Sequence, residues 1–130
     1  MEHDTGYAAQ TQAEVARHGL EGPVTVVHAP LEPWAGGARW YSRAWVEALP
    51  LIDVLVVDGP PGATGALARY PALPALAALA AKLSPGAVVI VDDTHRPDEQ
   101  AMVARWLKEQ PGLIATTVAT ERGTVVLHWP

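Results

Sequence analysis

Two nearly continuous apolar segments, each followed by aspartate, constrain the fold of this chain more than any other feature. LIDVLVVD covers 51–58 and AVVIVDD covers 87–93. Apolar runs of this length, rich in Val and Ile, are typical of strands in a parallel sheet that is covered on both faces. In an open parallel sheet the carboxyl ends of neighbouring strands line one crevice. The sequence therefore predicts an α/β fold in which Asp58, Asp92 and Asp93 lie close together.

The remaining segments alternate between helical and extended patterns, as a doubly wound sheet requires. Helices are predicted from the N-cap Asp4 to about His18, over 38–49, over 72–83 and over 97–110. A further short strand is predicted over 24–28, a loop over 29–38, and a terminal hairpin from strands over 113–120 and 124–129. Because no helix separates the last two strands, we expect an antiparallel pair at one edge of the sheet.

Composition excludes several functional classes. The 130 residues suffice for one domain, predicted to span 1–130, and the net charge of −5 without a basic run argues against nucleic-acid partners. The absence of cysteine excludes disulfides and zinc–thiolate sites. No apolar run reaches the roughly 18 residues of a membrane span, and the first residues lack the pattern of a signal peptide. We expect a cytoplasmic protein without a membrane partner.

The glycine-rich stretch DGPPGATG after the first apolar run does not fit a phosphate loop. The motif G-x-x-x-x-G-K-[ST], counted from Gly59, requires glycine and lysine where the chain has Thr64 and Gly65. A hydrolase nucleophile elbow is also absent, because Ser42 and Ser84 lack flanking glycines. The aspartates that end the two strands remain the strongest feature. They either bind a hard cation such as Mg²⁺, Ca²⁺ or Mn²⁺, or cap the turns that follow them.

Several segments, read together, resemble class I S-adenosylmethionine-dependent methyltransferases. The segments are MEHDTGYAAQTQAEVARHGLEGPVTVVHAP, IDVLVVDGPPG, GAVVIVDDTHRPDE and the terminal hairpin. They are most similar to the cation-dependent, catechol O-methyltransferase-like enzymes and to bacterial methyltransferase family 24. The resemblance implies a Rossmann-like sheet with helices on both faces and an antiparallel C-terminal hairpin. It also implies S-adenosylmethionine as cofactor, Mg²⁺ as a second cofactor, and methyl transfer to a small hydroxyl-bearing substrate.

The resemblance also implies roles for individual residues. Glu2 matches the acid that accepts hydrogen bonds from the ribose hydroxyls of the cofactor, a task suited to a carboxylate. The adenine is expected to pack against His28, Ala29 and Pro30. Asp58 is expected beside the cofactor, and Asp58, Asp92 and Asp93 match the metal ligands that would orient a substrate hydroxyl.

One position on the substrate side departs from the family pattern, and the role of a second residue there is open. The family often has a lysine base three residues after the acid of its fourth strand, and this chain has Pro61 there. His95, which follows the acid pair, is the alternative catalytic base because histidine titrates near neutral pH. Arg69 is assigned either to the substrate side or to a surface ion pair.

The family's first strand, glycine-rich cofactor loop and second strand have no counterpart in these 130 residues. The resemblance therefore implies a domain that lacks its N-terminal part. Three explanations remain open: a start further upstream, a remnant, or a gap filled by another chain or a second copy of this one. The alternative function is an inactive binding module that associates through its open sheet edge.

Overall fold

The computed structural model describes residues 1–34, 39–72 and 82–130. The helices are α1 (Thr5–Arg17), α2 (Arg43–Ala48) and α3 (Pro97–Glu109), with a 3₁₀ turn at Gly62–Thr64. The strands are β1 (Leu31–Pro33), β2 (Arg39–Tyr41), β3 (Ile52–Val57), β4 (Leu83–Asp92), β5 (Ile114–Val118) and β6 (Thr124–His128). The helix predicted over 72–83 falls almost entirely outside the described residues. Among the described helices, none is both long and apolar enough to cross a membrane.

The main sheet has four strands in the order β3–β4–β6–β5. Strands β3 and β4 are parallel, whereas β6 runs antiparallel to both β4 and β5. The predicted α/β fold and the terminal hairpin are therefore confirmed. The hairpin turn needs glycine, because Gly123 adopts a φ of 76°, a conformation that side chains disfavour.

Helix α3, which follows β4 in the chain, supplies residues near the carboxyl end of that strand. Pro97 is its first residue, where the missing N–H costs nothing. Its apolar stripe buries Met102, Val103 and Trp106 in one core cluster, as the sequence predicts. The same cluster contains Val89 and other residues of β4 and β6. Full burial of a side chain such as Met102 stabilises the fold by about 1.5–3 kcal/mol.

Helix α1 begins as predicted. The Asp4 carboxylate accepts a hydrogen bond from the backbone N–H of Tyr7 at 3.0 Å, which satisfies one free donor of the first turn. The helix ends at Arg17, and Gly19 follows with a φ of 64°. Only Ala8 and Val15 of this helix are buried.

The prediction of a helix over 38–49 is wrong for its first part. Residues Arg39–Tyr41 pair antiparallel with Leu31–Pro33, inside the segment predicted as a loop. This pairing buries Trp40 and Tyr41, and the helix is confined to α2. Strand pairing thus overrides the local helical pattern.

The strand predicted over 24–28 is reduced to one parallel bridge between Glu2 and His28. The backbone N–H of Glu2 donates to Val27 O at 2.8 Å, and that of Ala29 donates to Glu2 O at 2.7 Å. Among the described residues, Glu2 alone pairs with the segment over 24–28, so the pairing does not extend into a longer ladder.

Strand β3 lies where predicted, but it is not covered on both faces. The side chains of Leu51, Val54 and Val56 are 70%, 58% and 60% exposed. Among the described residues β3 pairs only with β4.

The Pro85-Gly86 pair, expected to precede the second strand, lies inside β4. It falls in a bulge where Ile52 pairs with Leu83 but Val54 pairs with Val88, and Gly86 has a φ of 78°.

Candidate functional site

The structure brings the three predicted acids together at the carboxyl ends of β3 and β4. Asp58 directly follows β3, Asp92 is the last residue of β4, and Asp93 comes next. Each offers a carboxylate oxygen within 4.8 Å of the others. The parallel register, which pairs Val57 with Val91, places the two strand ends side by side.

A buried guanidinium lies within this acid cluster. Arg69 Nη2 is 3.2 Å from Asp58 Oδ1 and 3.3 Å from Asp93 Oδ2. Its Nη1 is 3.5 Å from Glu99 Oε1 and donates to the backbone carbonyl of Asp92 at 3.3 Å. Arg69 is only 5% exposed. Of the two roles that the sequence left open for Arg69, the structure shows the ion pair. This ion pair is buried, however, and not at the surface.

Two further arginines surround Asp93. Arg96 Nη1 lies 2.9 Å from Asp93 Oδ2, and Arg122 Nη1 lies 3.7 Å from Asp93 Oδ1. The Asp93 side chain is 6% exposed, whereas that of Asp58 is 62% exposed. A buried carboxylate needs charged partners to offset its lost hydration. Asp93 therefore belongs to an internal ion network, and Asp58 faces solvent.

The segment that carries Arg69 is tied to α3. The Trp106 indole N–H donates to the carbonyl of Tyr70 at 3.0 Å, and the Tyr70 hydroxyl donates to Glu109 at 2.7 and 2.9 Å. The Arg105 guanidinium lies 4.0 Å from the centre of the Tyr70 ring. Hydrogen bonds from Arg105 and then Tyr70 lower the pKa of Glu109. These contacts hold the residue next to Arg69 against the helix.

The exposed side of Asp58 borders a cavity of about 500 Å³. Burial raises the pKa of the Tyr41 hydroxyl to about 12; the charges of Glu2 and Asp58 also raise it, and that of Arg69 lowers it. The Trp40 indole N–H is buried without a hydrogen-bond partner among the described residues. The polar and aromatic lining residues include Glu2, Trp40, Tyr41 and Asp58.

Gly59 is required where Tyr41 crosses the end of β3. A Cβ at this position would overlap the Tyr41 hydroxyl oxygen. The first glycine of the stretch DGPPGATG therefore permits a close approach of a side chain to the backbone, instead of cradling a phosphate.

The Glu2 carboxylate is held beside the same cavity. Its Oε1 accepts from the backbone N–H of Asp4 at 2.8 Å and lies 2.9 Å from His3 Nδ1. The side chain is 30% exposed. The structure thus places Glu2 and Asp58, two acids that the sequence analysis assigned to cofactor binding, on one cavity wall.

The three residues expected at the adenine do not line this cavity. His28 Nε2 lies 3.1 Å from the carbonyl oxygen of His3 and 3.3 Å from Thr5 Oγ1. Ala29 is fully buried in the core, and Pro30 is exposed. Their assignment to the cofactor remains a prediction.

His95 lies in a different cavity, of about 350 Å³. Its backbone N–H donates to Arg122 O at 3.0 Å, and its side chain is exposed. The residues that line this cavity include Thr94, Gln100, Thr117 and Gly123 but none of the three aspartates. The role of His95 as a base therefore also remains a prediction, and its position separates it from the Asp58 cavity.

Sequence reasoning missed Tyr41, which lines the cavity together with Trp40, and it missed Glu99 in the ion network. The two aromatic residues reach the cavity through the β1–β2 pairing, which the local pattern did not indicate. Glu99 belongs to the first turn of α3, where an acidic residue is expected for the helix dipole alone. The one available signal was Arg69 itself, a single charge within the mainly apolar segment ALARYPAL.

The solved structures that share this fold include two methyltransferase-related proteins. A methyltransferase from Geobacter sulfurreducens has a TM-score of 0.65 and 14% identity, over 98% of this chain and 55% of that one. A protein from Klebsiella pneumoniae assigned as an O-methyltransferase has a TM-score of 0.65 and 18% identity, over 98% of this chain and 59% of that one. No family model and no curated protein matches the sequence. The likeness establishes an α/β fold of the kind found in methyltransferases, and the chain spans little more than half of either structure.

Proposed function

We propose that this domain takes part in S-adenosylmethionine-dependent methyl transfer to a small hydroxyl-bearing molecule, at the cavity beside Asp58. One observation carries the proposal. Glu2 and Asp58, from distant parts of the sequence, line one cavity that extends along β3 and reaches its carboxyl end, where ligands bind in open α/β sheets. The fold shared with the two methyltransferase structures supports it.

Glu2 is the residue that would hold the ribose of the cofactor. A carboxylate has two acceptor oxygens, and in this chain Oε1 is fixed by the N–H of Asp4. Trp40 lies on the same wall, and its indole N–H is buried without a hydrogen-bond partner among the described residues.

Asp58 would act at the reacting end of the cavity. The cofactor supplies a methyl group on a positively charged sulfonium, and a carboxylate on the wall favours a cation nearby. One oxygen of Asp58 contacts Arg69, and the carboxylate is exposed enough to accept a hydrogen bond from a substrate hydroxyl. We propose that Asp58 orients that hydroxyl and accepts its proton, while the oxygen takes the methyl group and the sulfonium leaves as the neutral thioether of S-adenosylhomocysteine. His95 faces the other cavity and is not needed for this arrangement.

Metal assistance, expected from the resemblance, does not fit the acid cluster as it stands. Aspartate oxygens are ligands that Mg²⁺ prefers. Here, however, Arg69 Nη2 lies between Asp58 and Asp93, at 3.2 and 3.3 Å from their oxygens. We therefore include no metal-bound step in the proposed reaction.

The experiment is calorimetric titration of the 130-residue protein with S-adenosylhomocysteine. We expect Glu2→Gln to weaken binding at least about tenfold, because an amide offers one acceptor where the carboxylate offers two. Asp53→Asn is the matched control, since Asp53 is an exposed acid of β3 that does not line the cavity. Equal affinity of wild type and Glu2→Gln would contradict the assignment of the cavity.

A second candidate function is association through β3, and the exposure of Val54 and Val56 favours it. A strand with one free edge and an apolar face can add a strand of a second copy or of another chain. We propose that a second copy of this chain adds to β3 on the side opposite β4, which has no strand partner among the described residues. Light scattering after size-exclusion chromatography tests this idea with Val56→Lys. A wild-type monomer that elutes as the variant does would contradict it.

A further inference from the structure

We infer that the Arg69 guanidinium is the permanent cation of the acid cluster formed by Asp58, Asp92, Asp93 and Glu99, and that it takes the place of a divalent metal ion there. The inference does not depend on the proposed methyl transfer, because it concerns only the charges of the cluster. It replaces the metal centre that the sequence predicts with an internal ion network.

The position of one nitrogen supports this assignment. Arg69 Nη2 is 3.2 Å from an oxygen of Asp58 and 3.3 Å from an oxygen of Asp93. A single donor atom therefore bridges the acids from the two strand ends, as a bound cation would. The other terminal nitrogen contacts Glu99 and the carbonyl of Asp92, which extends the same network to α3 and β4.

The charges around Asp93 leave little attraction for a second cation. Arg69, Arg96 and Arg122 each place a guanidinium nitrogen between 2.9 and 3.7 Å from a carboxylate oxygen of Asp93. Arg96 also lies 3.9 Å from Glu99. Three positive groups thus face the carboxylates of Asp58, Asp93 and Glu99, and a divalent ion at Asp93 would be repelled by all three.

One carboxylate oxygen in the network has no hydrogen bond. Asp93 Oδ1 is buried without a hydrogen-bond partner in the described residues, and Arg122 Nη1 lies 3.7 Å from it. A single oxygen does not make a magnesium site, because Mg²⁺ requires near-octahedral oxygen coordination. The Arg122 guanidinium, which is 72% exposed, adds a further positive charge beside this oxygen.

Arg69 is also held in place. It is 5% exposed, and the adjacent Tyr70 is fastened to α3 by the Trp106 indole and by Glu109. A metal ion could enter only if this guanidinium left a buried position. The same constraint fixes the orientation of Asp58, whose Oδ1 is bound to Arg69 while the rest of the carboxylate faces the cavity.

The test is a titration of the wild-type protein with Mn²⁺, followed by the electron paramagnetic resonance signal of the free ion, and repeated with Mg²⁺ by calorimetry. We expect no binding tighter than about 1 mM, the range of the weakest protein sites for hard cations. One Mn²⁺ bound per chain with a Kd below about 100 μM, and lost in Asp58→Asn, would overturn the inference.

A pair of variants isolates the role of the guanidinium. Arg69→Gln removes the internal cation, and we expect it to bind Mn²⁺ at least about tenfold more tightly than wild type, with a melting temperature that rises when Mn²⁺ is added. Arg69→Lys keeps a positive charge and should show neither effect. A folded Arg69→Gln protein without any gain in Mn²⁺ affinity would contradict the inference. If that variant does not fold, the wild-type titration decides.

Discussion

The two aspartates at the ends of β3 and β4 look equivalent in the sequence and are opposite in the structure. Asp58 has a side chain that is 62% exposed, contacts one arginine and borders the larger cavity. Asp93 is 6% exposed and is surrounded by three arginines. Burial decides the difference, because a desolvated carboxylate must be paired whereas an exposed one is hydrated.

The comparison separates binding from stability within one cluster. The Asp93 side, with Arg69 and Glu99, is an internal ion network between strand and helix. The Asp58 side presents free carboxylate surface to a cavity that also contains Glu2. Substitutions on the two sides should therefore produce different phenotypes, and the following predictions run from the largest expected effect to the smallest.

Arg69→Met should cause the largest loss of stability. It removes the buried counterion of Asp93 and Glu99 and leaves them only the more exposed Arg96 in common, which costs about 3 kcal/mol. Urea unfolding followed by circular dichroism measures the change. The control is Arg122→Met, whose side chain is 72% exposed and whose removal should cost under about 0.5 kcal/mol. Equal losses in the two variants would show that Arg69 is not the centre of the network.

Asp93→Asn should destabilise the protein by about 2–3 kcal/mol, because it removes the charge that accepts from Arg69 and Arg96. Asp58→Asn should change stability by less than about 0.5 kcal/mol, since its carboxylate is mostly hydrated. The same unfolding measurement compares both. A reversed order would mean that exposure is not what distinguishes the two acids.

Gly59→Ala should cost about 1–2 kcal/mol, because the new methyl group overlaps the Tyr41 hydroxyl oxygen. Tyr41→Phe removes that oxygen and should recover most of the loss in the double variant. A double-variant cycle in urea measures this coupling. Additive effects of the two substitutions would argue against the contact.

At neutral pH the smallest expected effect comes from Tyr41 ionisation, which changes stability only above pH 10. Burial raises the pKa of Tyr41 from 10.0 to about 12, so the folded protein holds this proton more tightly than the unfolded chain. Its contribution to stability is fully present below pH 10 and is lost as the pH rises from 10 to about 12. Ultraviolet absorbance at the tyrosinate band, compared between wild type and Tyr41→Phe, measures this titration. A midpoint near 10 for this tyrosine would contradict its buried environment.

The sequence predicted those parts of the fold that local patterns determine. The terminal hairpin of β5 and β6, helix α3 and the acids after the apolar strands all lie as expected. The segments over 24–28 and 38–49 were misassigned because their structure depends on which strand pairs with them. Local propensity carries no information about such a partner.

The cluster itself could be predicted only in part. That the aspartates meet follows from parallel pairing of two strands. The burial of Arg69 between them depends on Tyr70 and Trp106 fastening a separate segment to α3, a contact between residues far apart in sequence. A sequence pattern therefore located the acids and left their counterion unidentified.

The most direct test of the account is a heteronuclear NMR titration of the protein with S-adenosylhomocysteine, because the two cavities are lined by different residues. We predict that amide shifts move at Glu2, Tyr41 and Gly59, around the cavity beside Asp58. Changes confined to His95, Thr117 and Gly123, or no changes at saturating ligand, would contradict the central claim that the Asp58 cavity is the ligand site.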